Sequence, residues 1–75
     1  MLVNLLVKSK PELGSFPSVM RAIRDVEKKL GKEGRVLVRY SGTEPKVWVL
    51  VEGPDKKTIE AHAKAIGEEL TKAIG

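Results

Sequence analysis

Cysteine is absent from this sequence of 75 residues, and aromatic residues are scarce, with one Trp, one Tyr and one Phe. Without cysteine the chain has neither disulfide bonds nor a Cys-ligated metal. Three aromatic side chains are too few for a surface on which nucleic-acid bases stack in series. Histidine occurs once, as His62, in a segment predicted to be helical. We interpret it as a surface or boundary residue. Ser9, Ser15 and Ser18 have no His and Asp partners nearby in sequence.

Long apolar runs are also missing. The apolar start, residues 1–7, is too short to span a bilayer. Lys8 and Lys10 follow this run rather than precede it, which disfavours a secretion signal, so a cytoplasmic location is expected. The length suits one small domain. The net charge of +4 favours anionic partners, without separating a sugar phosphate from a nucleic acid.

Two helices are predicted from apolar residues at spacings of three and four. The first begins near Pro17 or Ser18, with Ser15 or Ser18 as its N-cap, and stops at Gly31. The second follows Asp55, which caps it. The apolar stripes are Val19, Ile23, Val26 and Leu30 in the first helix, and Ile59, Ala63, Ile66, Leu70 and Ala73 or Ile74 in the second.

Three strands are predicted at residues 2–7, 35–40 and 46–52, because β-branched residues suit a pleated, half-buried surface. A short connection joins the last two strands, which should therefore pair antiparallel. The order β-α-β-β-α predicts a two-layer α+β domain, a small, mainly antiparallel sheet with both helices on one face. Regular alternation places beneath the helices Val36, Val38, Val47, Val49 and Val51.

The other face of the sheet is predicted to be more apolar than a face in water usually is. Two interpretations compete: the face docks against something outside this chain, or a further strand or tail covers it. The residues that alternation assigns to this open face are Leu37, Arg39, Trp48 and Leu50, with Leu2 and Leu6 alongside.

Residues 39–45, with the sequence RYSGTEP, join the second and third strands and concentrate groups that bind anions. Arg39 offers a planar fork of N–H donors that matches phosphate or carboxylate. Ser41 and Thr43 add hydroxyls, and Gly42 lets the backbone approach a ligand. The same residue types are common in ordinary turns, so the residues alone leave both an anion site and a plain turn open.

The run from Gly34 to Pro45, GRVLVRYSGTEP, followed by a strand ending at Val51 and Glu52, resembles the phosphate-binding loop of the α-D-phosphohexomutases. It is most similar to the branch that contains phosphoglucosamine mutase and phosphomannomutase/phosphoglucomutase. In that family the loop belongs to the fourth, C-terminal domain, whose order of elements this chain shares. The resemblance implies a TBP-like fold, with residues 1–75 forming a single C-terminal phosphate-binding domain of a larger phosphohexomutase.

The resemblance also implies a function. The family moves a phosphate between two oxygens of a hexose phosphate through a bisphosphate intermediate, and its last domain holds the phosphate that is not reacting. Carried over to this chain, Arg39 is the bidentate ligand, Ser41 and Thr43 supply hydroxyls, and Gly42 supplies a backbone N–H. Lys46 is expected to replace, as a point charge, an Arg that the family usually carries on the third strand.

That family arginine is replaced here by Trp48, which cannot neutralise a phosphate and which we interpret as packing against a neighbour. Tyr40 and Pro45 are assigned to the shape of the loop. Glu44 would repel a phosphate when ionised, so we expect it to order the loop by pairing with Lys46 or Arg35.

The family's phosphoserine loop, Thr-Ala-Ser-His-Asn, and its metal loop, Asp-Gly-Asp-x-Asp, are absent from these 75 residues. The chain is therefore expected to hold no catalytic residue and no cofactor, with magnesium bound by another domain of the parent enzyme. The expected partners are a hexose phosphate and those other domains, with no membrane, and the apolar sheet face also allows self-association. The alternative is a small basic nucleic-acid-binding or oligomerisation module.

Overall fold

The structure, a computed structural model, describes residues 1–74. The strands are β1 (Leu2–Leu6), β2 (Arg35–Tyr40) and β3 (Lys46–Glu52), and the helices are α1 (Pro17–Leu30) and α2 (Lys56–Ile74). This is the predicted β-α-β-β-α order. The bounds of β2 and β3 are those predicted, and β1 ends one residue earlier. Two short 3-10 helices, Leu13–Ser15 and Gly31–Glu33, flank α1 and lie in segments predicted as connections.

Within residues 1–74 the strands form one antiparallel sheet in the order β1-β3-β2. The central strand β3 pairs on both sides, so that Val49 lies opposite Val3 of β1 and opposite Val38 of β2. Both helices pack on the same face of this sheet, over the valines of β3. The predicted two-layer α+β class is therefore confirmed.

The first helix begins at Pro17, as predicted, but its N-cap differs from the prediction. Phe16 occupies the N-cap position and makes no capping hydrogen bond with its side chain. Ser15 donates its hydroxyl to the Glu12 carbonyl oxygen at 2.6 Å, and Ser18 already lies inside the first turn. The predicted Ser15 or Ser18 cap is therefore wrong. Pro17 is the first helical residue, where a missing N–H removes one group that would otherwise need a partner.

The end of α1 and the start of α2 follow the prediction. Gly31 ends α1 with φ 60° and ψ −136°, a positive φ that glycine adopts without steric cost, and its N–H donates to the Glu27 carbonyl. At the start of α2 the Asp55 carbonyl accepts the Ile59 N–H at 3.0 Å, which is the first bond of the helix. The Asp55 carboxylate accepts the hydroxyl of Thr58. Asp55 is therefore the N-cap residue, as predicted.

The core lies between the sheet and the two apolar stripes. The predicted stripes are confirmed, since each stripe residue is buried or partly buried against the core. Gly67 of α2 is also buried, and a Cβ there would lie 3.4 Å from Cδ1 of Leu5. This close approach of α2 to β1 was not predicted. The fully buried side chains are Val19, Val47, Val49, Val51, Ile66 and Leu70.

Candidate functional site

The loop between β2 and β3 is closed by backbone hydrogen bonds. The Ser41 N–H donates to the Lys46 carbonyl oxygen at 2.9 Å. The Lys46 N–H in turn donates to the Glu44 carbonyl oxygen at 2.8 Å, which makes a three-residue turn around Pro45. Proline fixes its own φ, so this turn is stiff. The loop therefore has one defined shape rather than a loose connection.

Ser41 organises the inside of this loop. Its side chain is buried, and its Oγ accepts the N–H groups of Thr43 at 3.4 Å and of Glu44 at 3.3 Å. Sequence reasoning assigned the Ser41 hydroxyl to ligand contact, whereas the structure first gives its oxygen to the loop backbone. These two bonds use only the oxygen as acceptor, so they leave the hydroxyl proton uncommitted.

Gly42 and Thr43 form the exposed tip of the loop. A Cβ on Gly42 would meet nothing within 4 Å, and the φ of Gly42 is not positive. The backbone conformation therefore does not require glycine at this position. The lack of a side chain instead leaves the surface of the loop open. Within residues 1–74 the Gly42 N–H makes no hydrogen bond, so it is free to donate to a ligand.

Arg39 lies at the end of β2 on the open face of the sheet and is exposed. No ion pair joins it to any residue in 1–74. Arg35, on the same strand and the same face, instead pairs with Glu52. The charge of Arg35 is therefore neutralised, whereas Arg39 keeps all of its guanidinium N–H donors beside the loop.

Lys46 and Glu44 form an ion pair, with the lysine Nζ 3.2 Å from Oε2 of the glutamate. This contact confirms the first of the two partners predicted for Glu44; the second, Arg35, is occupied elsewhere. Because the Lys46 charge is shared with a carboxylate, Lys46 offers an anion less than Arg39 does. The pair also fixes Glu44, whose negative charge would otherwise be free at the rim of the loop.

Trp48 lies on the open face, directly opposite Arg39 on one side and Asn4 on the other. Residues in such cross-strand pairs have Cβ atoms about 5 Å apart, so the side chains of Trp48 and Arg39 start from adjacent positions on this face. Trp48 is 40% exposed, so a large part of this apolar side chain is open to solvent. The other exposed apolar residues predicted for this face are Leu2, Leu6 and Leu37.

Two further residues reach the loop from a distant part of the chain. Lys10 donates from its Nζ to the Ser41 carbonyl oxygen at 2.6 Å. The Tyr40 hydroxyl donates to the Pro11 carbonyl oxygen, and burial raises the pKa of this tyrosine. Sequence reasoning placed Lys10 in a polar connection and gave it no role. No local pattern could reveal it, because 31 positions separate Lys10 from Ser41.

Metal and membrane features are not found in the part of the chain that the structure describes. Among residues 1–74 no three His, Cys, Asp or Glu side chains group so that they could hold a metal ion. The helices among the same residues are not long and apolar enough to cross a membrane.

Comparison with known proteins now identifies the family. The family model described as "Phosphoglucomutase/phosphomannomutase, C-terminal domain" matches residues 2–69. The chain belongs to this family. The resemblance inferred from the loop sequence is thereby confirmed, and the α+β architecture described above is consistent with it.

The similar proteins include several named phosphoglucosamine mutase. The protein of Myxococcus xanthus (strain DK1622) is 56% identical over 73 residues, and that of Anaeromyxobacter sp. (strain Fw109-5) is 60% identical over 74 residues. The protein of Syntrophobacter fumaroxidans is 46% identical over 74 residues. These matches cover 97–99% of this chain, but the chain spans only 16% of the length of each relative.

Proposed function

We propose that this chain is the substrate phosphate-binding domain of a phosphosugar mutase, the C-terminal domain of a larger phosphohexomutase. The parent enzyme would isomerise a hexose phosphate by phosphoryl transfer through a bisphosphate intermediate. Membership of the family supports this assignment, as do relatives named phosphoglucosamine mutase. The observation that carries it is the exposed Arg39, unpaired within residues 1–74, beside a closed loop whose Gly42 N–H is free.

The arrangement suits a phosphate dianion. Arg39 would bind two phosphate oxygens at once, and the Gly42 N–H would donate a third bond. Thr43 and the remaining proton of Ser41 supply hydroxyl donors, with Lys46 as a nearby point charge. These groups would grip the phosphate and not the sugar, so either orientation of the sugar would be accepted. Holding a non-reacting phosphate in this way positions the reacting centre elsewhere and lowers its barrier.

The catalytic groups would lie elsewhere in the parent enzyme. The phosphoserine and the magnesium ligands of the family are not found in this sequence, and the chain spans 16% of its relatives. We therefore assign the chemical step to those other domains and expect no turnover by this chain alone. The open sheet face, with Leu2, Leu6, Leu37 and Trp48 exposed, is the surface we assign to contact with them.

The test is a titration of the 75-residue chain with glucosamine 6-phosphate, in which binding is monitored through the NMR chemical shifts of the backbone amides of Ser41, Gly42 and Thr43. We expect a dissociation constant on the order of millimolar, because one wall of a cleft buries little of the ligand. Arg39→Ala should weaken binding by about tenfold or more, since a hydrogen bond to a charged group contributes about 1.5–3 kcal/mol. In the parent enzyme the same change should raise KM and lower kcat/KM.

Arg35→Ala is the matched control for this titration. It removes the same charge from the same face of β2, four residues away, but Arg35 is already paired with Glu52. We expect its affinity to stay within about twofold of the wild type, because an exposed pair contributes little and distant charges are screened. Equal losses in both variants, or no amide shift in the wild type at tens of millimolar (roughly ten times the expected constant), would overturn the proposed function.

A further inference from the structure

The segment that follows β1 is fastened to the loop at three points. The Val7 N–H donates to the Pro45 carbonyl oxygen at 2.8 Å. Lys10 Nζ donates to the Ser41 carbonyl oxygen at 2.6 Å, and the Tyr40 hydroxyl donates to Pro11. The Val7–Pro45 and Tyr40–Pro11 bonds join neutral groups, so they hold the segment against the loop without adding charge to it. The Lys10 bond differs, because it brings a full positive charge onto one peptide group of the loop.

That peptide group joins Ser41 to Gly42, and its geometry links the two residues. The described chain has no cis peptide bond, so this group is trans and planar. In a trans peptide the C=O and the N–H point in opposite directions. By holding the Ser41 carbonyl oxygen on one edge of the group, the lysine turns the Gly42 N–H toward the other edge. The N–H that Lys10 orients is the free donor at the tip of the loop.

The charge of Lys10 has a second effect at the same place. A carbonyl oxygen carries partial negative charge and would repel a phosphate if the peptide group turned over. A Cβ on Gly42 would meet nothing within 4 Å, so the loop is open around this residue. A charge-assisted bond of 2.6 Å to the Ser41 oxygen opposes such a turn of the peptide group, because such bonds are about twice as strong as neutral ones.

We propose that Lys10 is a positioning residue of the phosphate site, which holds the Ser41–Gly42 peptide so that the Gly42 N–H faces the ligand. This role rests on the proposed function, since it assigns a task to a residue outside the family motif. Lys10 acts through the peptide group and does not itself bind the phosphate. The lysine and the loop therefore act together, although 31 positions of sequence separate Lys10 from Ser41.

The experiment compares Lys10→Met, Lys10→Arg and Lys8→Met in the full 75-residue chain. Lys8 is the matched control because it is exposed, carries the same charge two residues away and makes no side-chain bond within residues 1–74. Two quantities are measured: the amide shift and hydrogen-exchange rate of Gly42 without ligand, and the dissociation constant for glucosamine 6-phosphate. The first tests the peptide orientation directly, and the second tests its consequence for binding.

We expect Lys10→Met to shift the ligand-free Gly42 amide and to weaken binding by about tenfold, the loss of one well-placed donor. Lys8→Met should leave the Gly42 amide in place and change the affinity by less than about twofold, because only screened charge is lost. Lys10→Arg restores a cationic donor and should recover most of both quantities.

An unchanged ligand-free Gly42 amide in Lys10→Met would overturn the proposal, even if affinity fell, because the lysine would then contact the phosphate directly. Equal effects of Lys10→Met and Lys8→Met would also overturn it, because net charge would explain both. These outcomes differ from failure of the proposed function, in which the wild type shows no binding or Arg39→Ala binds as the wild type does.

Discussion

Replacing Gly34 by alanine should destabilise the fold at the junction of α1, β2 and β3. Gly34 precedes β2 in extended backbone, so alanine is compatible with its φ and ψ. The added Cβ, however, would lie well inside van der Waals contact with the carbonyl oxygen of Glu52 and only 3.1 Å from Cβ of Leu30. Since the first of these atoms is backbone, no side-chain rotation relieves the clash.

The magnitude follows from what must move. Glu52 pairs with Arg35 as the last rung of the β2–β3 ladder and also through its carboxylate. An ordinary carbon–oxygen separation of about 3.3 Å requires these strands to part by roughly 1 Å. Overpacking of this kind costs about 1–3 kcal/mol, and the lower chain entropy of unfolded alanine returns about 0.4–1 kcal/mol. A net loss of about 1–2 kcal/mol would lower the Tm by about 5–15 °C in a domain of this size.

Thermal unfolding followed by circular dichroism measures this effect, with Gly14→Ala as the control. Gly14 is exposed, has no positive φ, and a Cβ there meets nothing within 4 Å. We expect Gly14→Ala to melt at the wild-type temperature or slightly above it. A shift of about 2 °C corresponds to a change of less than about 1 kcal/mol in the free energy of unfolding. A Gly34→Ala variant that melts within this range of the wild type would contradict the close packing described at this junction.

Two further predictions concern the loop anchor and the two faces of the sheet. Burial raises the pKa of Tyr40 above 10.0, so the folded state keeps a proton that the unfolded state loses. The stability that the protonated Tyr40 contributes is therefore complete below pH 10.0 and is lost as the pH rises through the folded-state pKa. In that pH range the free energy of unfolding, measured by urea, should fall more steeply in the wild type than in Tyr40→Phe. Parallel slopes would contradict this. Val49→Ala should cost about 2 kcal/mol, because it empties a fully buried site, whereas Leu6→Ser should stay within about 0.5 kcal/mol because Leu6 is 72% exposed. Similar urea midpoints for both would mean that the faces are assigned incorrectly.

The sequence left the choice open where more than one residue could serve as the cap or the ion-pair partner. Ser15 is a good N-cap residue, but Phe16 occupies the N-cap position and the Ser15 hydroxyl donates to the Glu12 carbonyl oxygen, so α1 begins without a side-chain cap. Glu44 had two candidate partners by charge, and the pairing of Arg35 with Glu52 left it Lys46. In each case the residue types allowed more than one arrangement, and only the positions of these residues in the folded chain select among them.

The sequence by itself determined the strands, the helices and the face that each residue occupies. Alternation and helical spacing are local properties, which is why Val47, Val49 and Val51 were assigned correctly to the core. It also determined the family, because the RYSGTEP run is contiguous.

Only the tertiary structure decided what surrounds that run. The pairing of β1 with β3 puts Leu6 opposite Lys46, and the chain that follows β1 therefore passes beside the loop. This pairing carries Lys10 onto the Ser41 carbonyl across 31 positions of sequence. The burial of the Ser41 hydroxyl within the loop also depends on the closed turn. Strand order and side-chain partners arise from contacts between distant segments, which no local pattern of residues encodes.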